Sequence, residues 1–491
     1  MKQARLDSNE REFFRMVYHA AFANPFGTVR EKLDHKLSGL FPSASHREST
    51  DRCIQEVDRK IRELEKQERA TIRAFRGQDK SIMAVVFLFD IFHKFRDRFD
   101  RLIMDQIAAG DDPVKVPFAE EAMSMLHQRG FEGDTLLHYF ALSYQLRRAF
   151  YFISKSLVGE SPCMKNLKKH LWNNVFTHNI EFYDKFMWNR MEDFSTLLLG
   201  ETGTGKGTAA MAIGRSGFIP FNEKTNTFRE SFTRAFSSLN LSQFPEALLE
   251  SELFGHKKGS FTGAVEDYKG VFDRCSPYGS ILLDEIGEIP NHVQIKLLQV
   301  LQDRVFTPVG SHSASRFHGR VIAATNKSID SITEGRVFRD DFYYRLCSDI
   351  IKVPPLKERI REDRQELDSL LGFTVERMTG TRSEKLISKI KRVIQKELGP
   401  YYHWPGNVRE LEQCVRSVLL RRTYKGGNKA SERREDLTEQ LVNGIRNRNM
   451  DLSALVSGYC TLLYEKHGTY EKVARQTGMD RRTVKKYING S

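Results

Sequence analysis

The sequence predicts a multidomain chain: an all-α N-terminal module, an α/β P-loop domain with a helical lid, and a C-terminal three-helix piece of helix-turn-helix type. Three observations lead there. At 491 residues the chain is too long for one core and has room for about three domains. Its texture changes from helical periodicity to short apolar runs ending in Gly or Asp, then back to helix. A glycine-rich loop also sits where a strand ends and a helix begins.

The first module spans residues 1–157, where Ile54, Val57, Ile61 and Leu64 recur at spacings of three and four. The apolar run from Ile82 to Phe89 stops at Asp90, well short of the ~20 residues a membrane span needs, and predicts a buried helix. Phe87, Phe89, Phe92, Tyr139, Phe140 and Tyr144 are expected in the core rather than around a ligand. The alternating charges of Asp51 to Arg76 predict a solvated helix face. Residues 158–356 read as a parallel α/β core and 357–425 as the helical lid. Residues 426–450 read as a polar linker broken by Gly426-Gly427-Asn428, and 451–491 as the last helical domain. The N-terminus lacks a signal-peptide core, and the six cysteines are scattered without Cys-x-x-Cys or zinc spacing. A reduced, cytoplasmic chain with no membrane partner is expected. The formal net charge of +13 permits a polyanionic partner without choosing one.

Thr196 to Leu199 is a buried-strand run, followed by Gly200-Glu201-Thr202-Gly203-Thr204-Gly205-Lys206 and a helical stretch. Glycines let backbone N–H groups curl around phosphates, the helix start adds a positive dipole, and Lys206 reaches the outer phosphates. Gly207 follows the lysine and Thr208 comes one step later, so the usual hydroxyl ligand to magnesium is absent or displaced. A second strand, Ile281 to Leu283, ends in Asp284 and Glu285, suited to holding Mg²⁺ and polarising the attacking water. A third delivers Thr325 and Asn326 toward the γ-phosphate. Arg339 and Arg345, six apart, suit a phosphoryl-transfer site completed by a neighbouring subunit, or else ordinary salt bridges to Asp340 and Asp341. Between the loop and the acidic pair lies Gly259-Ser260-Phe261-Thr262-Gly263-Ala264, a glycine-framed tip that ATP hydrolysis does not require.

With these motifs in order, residues of about 158–425 resemble the AAA+ domain of bacterial enhancer-binding proteins, the activators of sigma-54 RNA polymerase. The motifs are GETGTGKG at 200–207, ESELFGHKKGSFTGA at 250–264, LLDEIGEIP at 282–290, QIKLLQVLQD at 294–303, FRDDFYYRL at 338–346 and WPGNVRELE at 404–412. The resemblance implies ATP and Mg²⁺ as cofactors, Asp284 and Glu285 as the Walker B pair, and Thr325 and Asn326 as the first sensor. It also implies Arg339 and Arg345 as trans arginine fingers, Arg409 as the second sensor, and Asn240 as a restraint on Glu285. Phe261, Thr262 and Gly263 would form the tip that grips the sigma factor in a hexameric or heptameric ring. Ser260 and Gly207 depart from the family's usual residues. Residues 216–235 are an extra stretch, expected as a surface excursion with Phe228, Arg229, Phe232 and Arg234 open to a subfamily contact.

At the C-terminus, Leu452–Lys466, Thr469–Gln476 and Asp480–Ile488 read as three helices with a turn at Thr477-Gly478-Met479. Val473, Ala474 and Val484 are expected in its core, and Asp480 as the cap of the last helix. Arg481, Arg482, Lys485 and Lys486 remain for DNA. This end is similar to the Fis-type domain of the same family. The expected function is ATP-driven remodelling of the sigma-54 RNA polymerase holoenzyme from upstream DNA, under an unknown signal at residues 1–157. A DNA-binding AAA+ regulator that does not engage sigma-54 is the alternative, and a helicase loader or remodeller is a more distant one.

Overall fold

The capping boxes Asp7/Glu10 and Ser45/Glu48 start two helices where local sequence alone dictates. The structure is a computed structural model, and it describes residues 5–40, 45–335, 337–399, 402–426, 441–442, 444–445 and 450–489. Up to residue 176 the described residues form α1 (Ser8–Phe22), α2 (Thr28–Ser38), α3 (His46–Lys66), α4 (Gly77–Lys94), α5 (Arg96–Ala109), α6 (Ala119–Gln128), α7 (Gly133–Ser156) and α8 (Pro162–Phe176). Helix α3 buries Val57, Ile61 and Leu64, as the spacing predicts, whereas Ile54 is only half-buried and Cys53 beside it is buried instead. The Ile82–Phe89 run lies inside α4, and no helix among the described residues is long and apolar enough to cross a membrane.

The one-turn α9 (Ile180–Phe182) leads into β1 (Thr196–Leu199) and the P-loop helix α10 (Lys206–Gly214). There follow β2 (Phe221–Asn222), β3 (Thr227–Phe228), β4 (Phe236–Asn240), α11 (Glu246–Phe254), α12 (Val271–Arg274), β5 (Ser280–Asp284) and α13 (Asn291–Asp303). Next come β6 (Val305–Phe306), β7 (Ser315–Arg316), β8 (Arg320–Thr325), α14 (Ile329–Thr333), α15 (Asp340–Leu346) and β9 (Asp349–Lys352). Strands β4, β5, β8, β1 and β9 form one parallel sheet in that order. Parallel sheets are covered on both faces, and alternate residues here divide accordingly. Leu197, Leu283, Val321 and Ala323 join Leu253, Val293 and Phe342 in one cluster. Leu198, Leu282, Ile322 and Ile351 join α10 in the other, which continues without a break into the N-terminal helices.

That continuity corrects the expectation for residues 216–235. They are not a surface excursion but the joint between the helical module and the sheet. Phe221, Phe228 and Phe232 are buried. Phe228 stacks on Tyr144 at 4.1 Å, Phe221 meets Phe140 at 4.9 Å, and Phe232 meets Phe152 at 5.3 Å between ring centroids. Val116 N donates to Asn226 O at 2.9 Å, and Ser231 Oγ to Gly110 O at 2.7 Å. The arginines of this stretch, Arg229 and Arg234, stay exposed. Buried Arg148 of α7 donates to Arg215 O at 2.9 Å and Gly217 O at 2.7 Å, while Gln145 Nε2 donates to Ser216 O at 2.9 Å. These carbonyls lie at or just past the C-terminal end of α10, where helix carbonyls lack intrahelical partners.

The lid comprises α16 (Leu356–Glu362), α17 (Gln365–Thr379), α18 (Glu384–Glu397) and α19 (Asn407–Arg421). A buried Arg359–Glu366 pair at 2.7 Å anchors it, with Arg359 also donating to Val158 O and Glu366 accepting from Ser161 N. By contacts, residues 1–392 with 401–416 form one compact unit, and 393–400 with 417–491 form another. Most of the expected linker, residues 427–440, 443 and 446–449, lies outside the described residues. In the second unit, α20 (Leu452–His467), α21 (Tyr470–Thr477) and α22 (Arg481–Asn489) pack around Cys460, Leu463, Val473 and Val484, with Ala474 against them. Gly478 turns the chain at φ +71°, and Asp480 accepts from Arg482 N and Thr483 N.

Phe228→Ala should lower stability by ~3 kcal/mol, because a buried ring stacked between two segments leaves a cavity. An unchanged denaturation midpoint would show that residues 216–235 do not bear on the helical module.

Candidate nucleotide site and the loop beside it

A parallel sheet gathers its strand ends on one edge, where open α/β sheets bind ligands. Register places Leu199 beside Thr325 and Asn240 beside Asp284. The Gly200–Gly205 loop, the acidic pair and the Thr325-Asn326 turn therefore leave the sheet together. Gly203 stands at φ +81°, and a Cβ there would fall on Gly406 O and Arg409 Cβ. Only glycine allows the lid this close.

Lys206 is largely buried, and its Nζ donates to Gly200 O at 2.8 Å and Glu201 O at 3.3 Å. Burial pulls its pKa below the ordinary lysine value, opposed by Glu285 and Asp284 and reinforced by Arg409. The ammonium is thus turned onto carbonyls at the mouth of the loop, close enough to feel both carboxylates. Thr202 and Gly207 are exposed; Thr204 is buried, its Oγ1 donating to Glu201 O at 2.9 Å, and Thr208 is half-buried one step past the lysine.

Asp284 Oδ1 accepts from Glu285 N at 3.0 Å. Glu285 sits at φ +55°, a left-handed conformation that costs a non-glycine residue ~1 kcal/mol or more. Its Oε2 is buried without a hydrogen-bond partner. A carboxylate oxygen left in that state beside a phosphate loop fits a water or a reacting group, so the residues present suit a nucleotide with a divalent cation on Asp284. Buried Thr325 accepts from Lys327 N at 3.2 Å, and exposed Asn326 donates to Thr202 Oγ1 at 3.4 Å, joining the Thr325-Asn326 turn to the 200–206 loop.

The expected restraint of Glu285 by Asn240 is not among the hydrogen bonds of the described residues. Asn240 Oδ1 instead accepts from Ser242 N at 3.1 Å and Ser242 Oγ at 2.8 Å, so the side chain closes its own turn. Arg339 is exposed and doubly bonded to Asp341, at 3.1 and 2.9 Å, which realises the salt-bridge alternative within one chain. Arg345 donates to Leu301 O at 2.9 Å. The structure does not bring either arginine to this chain's own phosphate loop. Arg409 is exposed at the start of α19, beside Gly203.

Two positioning residues carried no signal of their own in the sequence. Asn407, buried at φ +53°, accepts from Leu356 N at 2.7 Å and donates to Glu201 Oε2 and Thr202 O at 3.1 Å each. With Val408 N donating to Gly203 O at 3.0 Å, it ties the lid directly to the phosphate loop. Gln294, also buried, donates to Ile289 O and Val337 O and accepts from Arg339 N, fixing the backbone of the arginine segment. Both lie within quoted motifs, WPGNVRELE and QIKLLQVLQD, but apart from the local bond of Gln294 to Ile289 O their bonds span 43 to 206 residues.

The hexapeptide folds into a tight loop through Gly259 N to Ala264 O at 2.8 Å and Ala264 N to Phe261 O at 3.0 Å. Thr262 and Gly263 are exposed, whereas Phe261 is half-buried, edge-on to His256 at 4.9 Å. Ser260 packs against Gly310, beside the β6–β7 hairpin. In the second unit Arg482, Lys485 and Lys486 are exposed on α22, and Arg481 is paired with Glu471 at 2.8 Å.

Residues 177–352 match the model of the sigma-54 interaction domain. The chain is 38% identical over 274 residues to the Nif-specific regulatory protein of Azotobacter vinelandii, covering 56% of this chain and 46% of that protein. It is 40% identical over 235 residues to the formate hydrogenlyase transcriptional activator of Salmonella typhimurium, covering 47% and 31%. Against the DNA-binding transcriptional regulator NtrC of Azospirillum brasilense it is 32% identical over 264 residues, covering 53% and 47%. The chain thus spans about half or less of these curated relatives. The solved structure of NtrX from Brucella abortus in complex with ATP aligns at TM-score 0.41 and 19% identity over 76% of this chain and 79% of that one, too distant to argue from.

Asn407→Ala removes three hydrogen bonds at once and strands buried partners, at ~1–3 kcal/mol. It should weaken binding of a fluorescent ATP analogue about tenfold, and equal affinity in a titration would show that the lid does not hold the loop.

Proposed function

We propose, from the match of residues 177–352 to the sigma-54 interaction domain, that this chain is an ATP-driven transcription activator that remodels the sigma-54 RNA polymerase holoenzyme. The observation that carries it is the exposed Thr262-Gly263 tip, set in the same unit as a phosphate loop and an acidic pair. In this reading residues 1–157 are regulatory, 158–356 the AAA+ core, 357–425 its lid, 426–450 a linker, and 451–491 the Fis-type domain. Arg481, Arg482, Lys485 and Lys486 meet upstream DNA, with Arg481 first releasing Glu471.

Backbone N–H groups of the 200–206 loop and Lys206 Nζ would hold the outer phosphates of ATP, Lys206 exchanging its carbonyl partners for phosphate oxygens. Asp284 would hold Mg²⁺, with Thr208 the nearest hydroxyl on α10, since Gly207 has none. The ion, when bound, neutralises charge on the transferring phosphoryl group. Glu285 orients the attacking water and takes its proton at a carboxylate oxygen. Thr325 and Asn326 would read the γ-phosphate, and Arg409 would follow it from the lid. Arg339 and Arg345, occupied within their own chain, would serve the adjacent subunit of a hexameric or heptameric ring, swinging away from Asp341 and Leu301 O. Asn240 would restrain Glu285 only by leaving Ser242. Phe261, released from His256, and Thr262 would bear on the sigma factor as the site cycles.

Thr262→Ala should abolish open-complex formation on a sigma-54 promoter while leaving ATP turnover in place; promoter opening at the normal rate would refute the sigma contact. Glu285→Gln should retain nucleotide but turn it over ~10²–10⁴-fold more slowly, the range general-base loss produces, as read by phosphate release.

A further inference from the structure

Helix α18 carries an exposed face that the lid's own packing does not use. Its apolar side, Ile387, Ile390 and Ile394, is buried. The opposite side turns Lys385, Ser388, Lys389, Arg392, Gln395 and Lys396 to solvent. The four cations stand at i, i+4, i+7 and i+11, which at about 3.6 residues per turn keeps them in one stripe about 16 Å long. Between Glu384 and Glu397 there is no Asp or Glu, and all six exposed side chains can donate a hydrogen bond.

Like charges at i and i+4 repel and weaken a helix, and elsewhere the chain avoids that cost. On α3 the exposed charges neutralise one another, Arg52 with Glu56 at 2.8 Å, Arg59 with Glu63 at 2.5 Å and Arg62 with Asp58 at 2.7 Å, as a solvated face does. On α18 itself Lys391, off the stripe, reaches Asp368 at 2.8 Å, and Glu384 is taken by Arg382 at 2.9 Å. Lys385, Lys389, Arg392 and Lys396 form no ion pair among the described residues. The same pattern recurs on α22, where Arg482, Lys485 and Lys486 are exposed and unpaired among the described residues. Most of the net charge of +13 falls after residue 356, in the part of the chain that holds both helices.

We propose that the α18 stripe is a second contact for duplex DNA, one that grips the phosphate backbone without reading bases. It rests on the reading of residues 451–491 as a DNA-binding domain, because a chain held on DNA by one domain presents its other basic surface to the same duplex at high local concentration. Over ~16 Å the duplex carries on the order of ten phosphates, so four cations find partners in any register. A bilayer does not fit, since an amphipathic helix binds one through its apolar face and the apolar face of α18 is already buried. The contact adds affinity and no sequence preference.

The test uses the full chain and a fluorescein-labelled duplex of arbitrary sequence, titrated by anisotropy across a range of salt concentrations. Counterion release gives log K against log salt a slope of about −0.9 per phosphate contact. The combined variant Lys385→Gln, Lys389→Gln, Arg392→Gln, Lys396→Gln should make that slope shallower by about 3 to 4 and weaken binding about tenfold or more at ~0.1 M salt. Glutamine is about as good a helix former as lysine, so a fluorescent ATP analogue should bind this variant as it binds the parent. Lys385→Arg, Lys389→Arg, Lys396→Arg should keep the parent slope. So should Lys32→Gln, Lys80→Gln, Arg101→Gln, Lys224→Gln, which removes four exposed cations elsewhere. Arg482→Gln, Lys485→Gln, Lys486→Gln reports on α22 separately. If the α22 variant loses slope and the α18 variant does not, the stripe is overturned and the DNA-binding reading stands; if neither loses slope, both fall. An equal loss from the four substitutions elsewhere, or lost binding to phosphatidylglycerol vesicles with DNA bound as before, also overturns it.

Discussion

Both ends of the P-loop helix are fixed by something outside it. At its start Lys206 and the glycine loop face the space where phosphates would lie. At its finish the carbonyls of Arg215, Ser216 and Gly217 receive N–H groups from Arg148 and Gln145. Arg148 is fully buried with no carboxylate partner; burial draws its pKa down to about 10, and its Nε is left unbonded. A buried unpaired cation is costly. It is tolerated because helix carbonyls carry partial negative charge and because the rings of Tyr144 and Phe232 lie within 4.6 and 5.7 Å. The guanidinium of Arg148 and the amide of Gln145 therefore fix the end of the P-loop helix against the N-terminal helices.

What could be read from the sequence was what is local. The strand-loop-helix of residues 196–214, the acidic strand end at Asp284-Glu285, and the cap of α22 by Asp480 each depend on neighbours within a few residues, and all are formed. The helical texture before residue 158 and the three C-terminal helices were legible for the same reason. What sequence could not give is the partner of a side chain far along the chain. Asn407 reads as one polar residue in a motif until its bonds to residues 201 and 202 are seen. The aromatics of α4 and α7 share one periodicity, so spacing could not separate buried Phe87 and Phe89 from half-buried Phe92, or buried Tyr144 from half-buried Tyr139.

The stretch 216–235 was the largest surprise, for a related reason. Its phenylalanines are expected on a surface excursion because the stretch is extra to the short connection of the family that the chain resembles. They are buried because the helical module, which no sheet pattern announces, supplies the other half of their core.

This changes what counts as an interchangeable part. A regulatory module that merely sat on its ATPase could be exchanged for another at a linker near residue 158. Here the joint is made from two separate lengths of chain, α7 on one side and residues 215–235 on the other, so neither has a complete partner in a relative that lacks the extra stretch. A hybrid assembled at residue 158 alone would inherit half of a joint.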